Sequence, residues 1–173
     1  MKNMPVSTVL IILLVLAGVA LFICQRRDRP DPVTLTEPQQ DPLFWDIMSL
    51  CRQIDECEVD TDAAVARLSL EEDEVIFGFE DTLADLLSLL NKPCYVHTFI
   101  QMNPGHDDAF LYARCSAMIH GIDFFKHVLE GKEIDFWANE SEGVLYIAKK
   151  AWATKHASDV ESFPYLSKNT LYF

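Results

Sequence analysis

Apolar and polar positions are distributed along this chain in two different ways. From Val6 to Cys24, 19 successive residues carry no charge, and at ~1.5 Å per residue a helix of that length spans ~28 Å, close to the ~30 Å hydrocarbon core of a bilayer. Beyond Gln25 the apolar residues recur at helical spacing among charged ones. Asp41-Pro42 offers a capping carboxylate and a first-turn proline, and Phe44, Ile47, Met48, Cys51 and Ile54 then share one face, which predicts a first helix ending near Cys57. A short second helix is expected from Thr61 or Asp62 through Leu68. Ser69 and Glu72 have the spacing of a capping box ahead of a long stripe that runs from Val75 and Ile76 through Phe79, Leu83 and Leu87 to Leu90.

A fourth helix is expected from a cap at residues 91–93 through Gln101, where Asn103-Pro104-Gly105 must break it. A fifth begins at Asp107 or Asp108 and ends before Gly121, a sixth covers residues 122–129 and stops at Gly131, and a seventh runs from Ser141 or Glu142 past Trp152. No strand pair or hairpin signal stands out. The expected fold class is therefore all-α, a compact domain of six or seven helices preceded by one transmembrane helix, with Trp45, Phe79, Phe110, Phe124, Phe125 and Trp152 supplying much of the core. The organisation reads as an anchor over residues 1–25, a proline-containing linker over 26–40 with Pro30, Pro32 and Pro38, and a soluble domain over 41–173. The tail from Phe163 to Phe173 is apolar for a terminus and is expected to pack back onto the helices, the alternative being an exposed docking peptide.

Charge narrows the partners. The chain has 173 residues, 50% of them hydrophobic, which supports a packed domain and argues against wholesale disorder. Residues 31–173 hold 10 basic and 26 acidic side chains, a formal excess of 16 negative charges. That balance argues against nucleic-acid binding, which needs clustered Lys and Arg, and leaves room for a basic protein partner. Arg26, Arg27 and Arg29 stand directly behind the apolar run, whereas Lys2 and the amino terminus are the positive charges ahead of it. The positive-inside rule then gives a single pass through the cell inner membrane with the soluble domain on the cytoplasmic side. A cleaved signal peptide, with Gly18 and Ala20 as small residues near a cut, is the competing reading. Lipid attachment at Cys24 is disfavoured by Phe22 and Ile23 before it, and no small-xxx-small face marks the run for self-association.

Candidate chemistry is sparse. Cys51, Cys57, Cys94 and Cys115 contain no CxxC pair, which excludes a zinc ribbon, and their apolar neighbours suit reduced thiols in a cytoplasmic domain. His97, His106, His120, His127 and His156 form no HExxH pair, so neither a metal nor a cofactor is assigned. One stretch, residues 105–114, concentrates polar groups between apolar ones and supplies the candidate site residues His106, Asp107, Asp108 and Arg114. Two carboxylates at a helix start could bind a cation or act as base, and Arg114, six residues after Asp108, lies roughly 600° further round the axis, about 120° away from it. The structural alternative is that Asp108 caps the helix, Phe110 enters the core and Arg114 anchors a carbonyl or an acid on another helix. A histidine-aspartate phosphohydrolase does not fit these tight spacings, and no nucleophile elbow or phosphate-binding loop is present. The acids from Glu71 to Glu74 suit the first turn of the long helix, where negative charge opposes the dipole.

These residues resemble a bacterial family, the domain of unknown function DUF4240. Phe44-Trp45 opens the first helix, Leu68-Ser69-Leu70-Glu71-Glu72 precedes the long one, and Gly105, Asp107, Asp108, Phe110, Tyr112, Arg114 and Gly121 follow in the family's order and spacing. Glu142, Leu145, Tyr146 and Ala148 look like its closing helix, so that the resemblance covers most of residues 41–155. Ser116 departs from it, standing where the family commonly has tryptophan. The resemblance implies a helical fold and marks Asp107, Asp108 and Arg114 as the shared feature, but it brings no activity. The expected function is a membrane-tethered acidic interaction or regulatory module. A small-molecule hydrolase using the Asp107, Asp108 and Arg114 cluster is the alternative, and a static scaffold at the inner face of the membrane is a third reading.

Overall fold

Asp41 opens the first helix as its chemistry requires, its carboxylate accepting the Leu43 N–H at 3.0 Å with Pro42 in the first turn. The computed structural model describes residues 34–92, 95–96, 99, 109–131 and 140–167. In it this helix, α1 (Pro42–Met48), is shorter than the apolar spacing predicts. Past Cys51 the chain enters an antiparallel pair, β1 (Arg52–Gln53) and β2 (Val59–Asp60), with Arg52 opposite Asp60 and Gln53 opposite Val59. The cause is local: one Asp55 carboxylate oxygen accepts both the Cys57 and Glu58 N–H groups at 2.8 and 2.9 Å, and the Ile54 N–H donates to the Glu58 carbonyl at 2.9 Å. Ile54, expected on the core face, is 58% exposed. The all-α expectation is thereby corrected to a mostly helical domain carrying one small hairpin.

Next come α2 (Asp62–Leu68) and α3 (Asp73–Leu89). The expected capping box is not used. Ser69 Oγ donates to the Ala66 carbonyl at 2.9 Å, finishing α2, while Glu72 takes the cap position of α3 through its extended backbone. Tyr95, Val96 and Phe99 are helical, but most of the expected fourth helix and the Asn103-Pro104-Gly105 break lie outside the described residues. The chain continues with α4 (Ala109–Ile119) and α5 (Ile122–Leu129). Between them Gly121 adopts φ 89°, a conformation that a side chain would strain. The seventh expected helix is divided into a 3-10 turn, Glu142–Tyr146, and α6 (Ile147–His156). Six α-helices thus stand among the described residues.

The core joins these elements. Phe44 meets Trp45 at 5.2 Å and Phe79 at 4.8 Å between ring centroids, and Trp45 meets Phe125 at 5.7 Å. Phe110, Phe124 and Trp152 are only partly buried and pack around this cluster rather than inside it. Residues 34–40, part of the stretch whose composition suggests a linker, lie against the helices: Leu35 joins the core, and the Trp45 indole N–H donates to the Gln39 carbonyl at 2.9 Å. The tail folds back as expected through residue 167. Tyr165 stacks on Phe77 at 4.6 Å, and Tyr165 and Ser167 donate to the two Asp81 oxygens at 2.7 and 3.0 Å. Among the described residues no helix is long and apolar enough to cross a membrane, and the run from Val6 to Cys24 lies outside them.

The start of α3 and the end of α6 are joined by charge. Asp73 receives Lys155 Nζ at 2.9 Å and His156 Nε2 at 3.0 Å. Hydrogen bonds from Lys155 and then His156 hold the Asp73 carboxyl below its ordinary range. A folded-state value below the unfolded one, about 3.9, means that the stabilisation is present above that pH and lost as pH falls through the folded value. Asp73→Asn is therefore expected to lower the thermal midpoint at neutral pH and to shrink its decline below pH ~4. A series of thermal melts between acid and neutral pH checks this, and parallel curves for the two proteins would contradict it.

Candidate functional site

Arg114 is the one sequence-predicted site residue among the described residues. His106, Asp107 and Asp108 lie outside them. Carried on α4, Arg114 is 3% exposed, and its guanidinium donates through Nη1 to the Leu87 carbonyl at 3.1 Å. Leu87 lies in the last turn of α3, where carbonyl groups outnumber their helical partners and a cation is favoured. The guanidinium carbon also stands 4.7 Å from the centre of the Phe110 ring. Burial pulls the Arg114 pKa down from its ordinary value. Arg114 thus anchors a carbonyl on another helix. Ser116, two residues after Arg114, is fully buried, and its hydroxyl has no hydrogen-bond partner among the described residues.

The thiols follow the same pattern of burial. Cys51, Cys57 and Cys115 are free, with Cys57 exposed and the other two buried. Burial, followed by the charge of Asp60, pushes the Cys51 thiol up to about 12, and burial pushes Cys115 up to about 12. At pH 8 such a thiol is ionised roughly one part in ten thousand, and the thiolate is the reactive form. Maleimide is therefore expected to label Cys57 rapidly in the native chain and to reach Cys51 and Cys115 only on unfolding. Peptide mapping after timed labelling checks this, with fast native modification of Cys115 as the contrary result. Among the described residues no three His, Cys, Asp or Glu side chains are placed to hold a metal ion.

One concave feature among the described residues was missed by motif reasoning. A groove of about 760 Å³ runs between the segment carrying Glu37 and α1 on one side and α3 on the other. Phe44, Ile47, Leu68 and Phe79 give it an apolar floor, while its ionisable lining is wholly acidic: Glu37, Asp41, Asp81 and Asp85. No Lys or Arg lines it among the described residues. Asp41 is tied to its capping bond and Asp81 to the tail, so both carboxylates are held in place. Gly78, on the same wall, has nothing within 4 Å of where a Cβ would stand.

A signal for this groove was nonetheless in the sequence. Gly78, Asp81, Thr82 and Asp85 are spaced to share one face of α3. A glycine inside a helix costs about 0.5–1 kcal/mol relative to alanine, and like charges at i and i+4 cost a few tenths more. A helix that breaks two local rules on one face marks that face as something other than packing.

Comparison with curated proteins and with solved structures finds no match to this chain. The family model described as a protein of unknown function, DUF4240, matches residues 40–154. That span runs from the turn before α1 into the last turn of α6, and it includes Arg114, every lining residue of the groove except Glu37 and nearly all of the core. With more than half of its residues matched in this way, the chain belongs to the DUF4240 family.

Proposed function

We propose that the chain is a membrane-tethered interaction module whose acidic groove receives a basic segment of a protein partner. The groove carries this reading: an apolar floor selects a greasy anchor side chain, and the acidic lining of Glu37, Asp41, Asp81 and Asp85 favours Lys or Arg beside it. The formal excess of 16 negative charges over residues 31–173 steers such a partner toward the domain from a distance. In this reading residues 6–24 cross the inner membrane, and Arg26, Arg27 and Arg29 sit at its cytoplasmic face. Repulsion between the acidic domain and an anionic leaflet would keep the groove turned toward the cytoplasm rather than pressed onto lipid.

The test uses the full chain in non-ionic detergent and a synthetic helix with leucine on one face and lysine on the other. Its counterpart carries glutamate in place of lysine. The lysine peptide is expected to bind with an affinity that falls steeply with salt, because screening shortens the reach of exposed charges from about 30 Å at 0.01 M to about 10 Å at 0.1 M. The glutamate peptide is expected not to bind. Equal binding of the two, or binding indifferent to salt, would contradict the reading. For the tether, a fluorescent reporter fused after Phe173 should remain with the membrane fraction and mature inside the cell.

A further inference from the structure

The returning tail meets the acidic groove at one carboxylate. Residues 163–167 lie over α3 as an irregular strap whose positions alternate: Phe163, Tyr165 and Ser167 are partly or fully buried, while Pro164 and Leu166 are exposed. Among the described residues no backbone–backbone hydrogen bond ties residues 164–167 to a helix, so side chains hold the strap. Tyr165 lies flat on Phe77, with the ring planes 8° apart, and Phe163 meets Phe77 and Trp152 at 5.8 and 6.1 Å between ring centroids. The polar contacts gather on Asp81, whose Oδ2 accepts the Tyr165 hydroxyl at 2.7 Å and whose Oδ1 accepts the Ser167 hydroxyl at 3.0 Å. Asp81 is also one of the acids that line the groove. We propose that the tail and the groove are coupled through Asp81, with Tyr165 and Ser167 as positioning residues that fix its carboxylate for the cation of a basic partner.

This inference rests on the function proposed for the groove and adds its regulation. A side chain that must be ordered when a partner arrives weakens the binding, and a carboxylate ordered beforehand spares that cost. Two hydroxyls from the tail have already ordered Asp81. Both donors are neutral, so the carboxylate keeps its charge, and its two oxygens present about four acceptor positions, which makes the tail bonds compatible with a bond from Lys or Arg. Tyr165 is a durable donor. Its hydrogen bond to Asp81, followed by desolvation, pushes the phenol up to about 12, so the proton stays in place at neutral pH. The coupling is reciprocal: if the docked tail raises the affinity of the groove for a cation, an occupied groove must hold the tail more firmly by the same factor. Any contact that draws the strap off α3 therefore weakens the groove.

The experiment is calorimetric titration of the full chain in non-ionic detergent with the leucine–lysine helix at low salt. Tyr165→Phe keeps the ring on Phe77 and removes only the donor, and Ser167→Ala removes the second donor. Each is expected to weaken binding about two- to tenfold, the range set by ordering one interfacial side chain. In an Asp81→Asn background neither should add to the loss, because the charge that they position is gone. Leu166→Ala, on the outward side of the strap, should leave the affinity unchanged. Hydrogen exchange reads the reciprocal effect: saturating peptide should slow the backbone amides of residues 165–167 by about the same two- to tenfold. Full-strength binding by both tail variants, an equal loss in the Asp81→Asn background, or tail exchange indifferent to bound peptide would overturn the coupling and leave the groove reading in place. No binding by the unaltered chain would instead remove the groove reading and this inference with it.

Discussion

Phe44→Ala is expected to lower the unfolding free energy by about 3–5 kcal/mol, a large fraction of what holds a domain of this size together. Phe44 is 1% exposed and touches the Trp45 and Phe79 rings, so truncation removes the central contact between α1 and α3. The void would not close easily, because α1 has only seven residues and is fixed at its start by the Asp41 cap and by the Trp45 bond to Gln39. Phe44→Leu keeps most of the volume and should cost under about 1.5 kcal/mol. Urea unfolding followed by tryptophan fluorescence distinguishes the two. A Phe44→Ala loss below about 1 kcal/mol would mean that the α1–α3 contact is not a principal support of the fold.

The second large effect belongs to Arg114. Arg114→Ala removes the bond to the Leu87 carbonyl, the stack on Phe110 and the buried aliphatic stem together, and is expected to cost about 3 kcal/mol. Arg114→Met restores the stem and avoids burying a charge, so its cost should be well under that of alanine, about 1 kcal/mol. This ordering is what an anchoring role requires. If methionine proved as damaging as alanine, the charge itself would be indispensable, and the packing account of Arg114 would be wrong.

Much of the helical layout was legible because it rests on long-range periodicity. The stripe from Ile76 to Leu87 could be satisfied only by a helix buried along one side, and α3 is that helix. Gly121 at positive φ and the tail returning to α3 were legible for similarly simple reasons, a residue without Cβ and an apolar terminus. Less legible were boundaries decided by one side chain. Asp55 diverted the first helix into a hairpin, and Ser69 capped the end of α2 instead of the start of α3. In both cases a short polar side chain satisfied the nearest backbone group, a choice that spacing alone does not distinguish. Of the candidate residues, Arg114 is the one among those described, and its bond to the Leu87 carbonyl was not legible, since a carbonyl carries no mark in the sequence. The groove escaped motif reasoning because its acids come from separate segments, Glu37 and Asp41 on one side and Asp81 and Asp85 on the other.

The groove offers the most direct test through Gly78. Nothing lies within 4 Å of a Cβ at this exposed position, and leucine is among the better helix formers, so Gly78→Leu should fill the groove without straining α3. Affinity of the full chain for the leucine–lysine helix, measured by calorimetry at low salt, is expected to fall by about tenfold or more in this variant while the thermal midpoint stays level or rises. Undiminished binding to a stable Gly78→Leu chain would show that the basic segment docks elsewhere, and the function assigned to the groove would have to be given up.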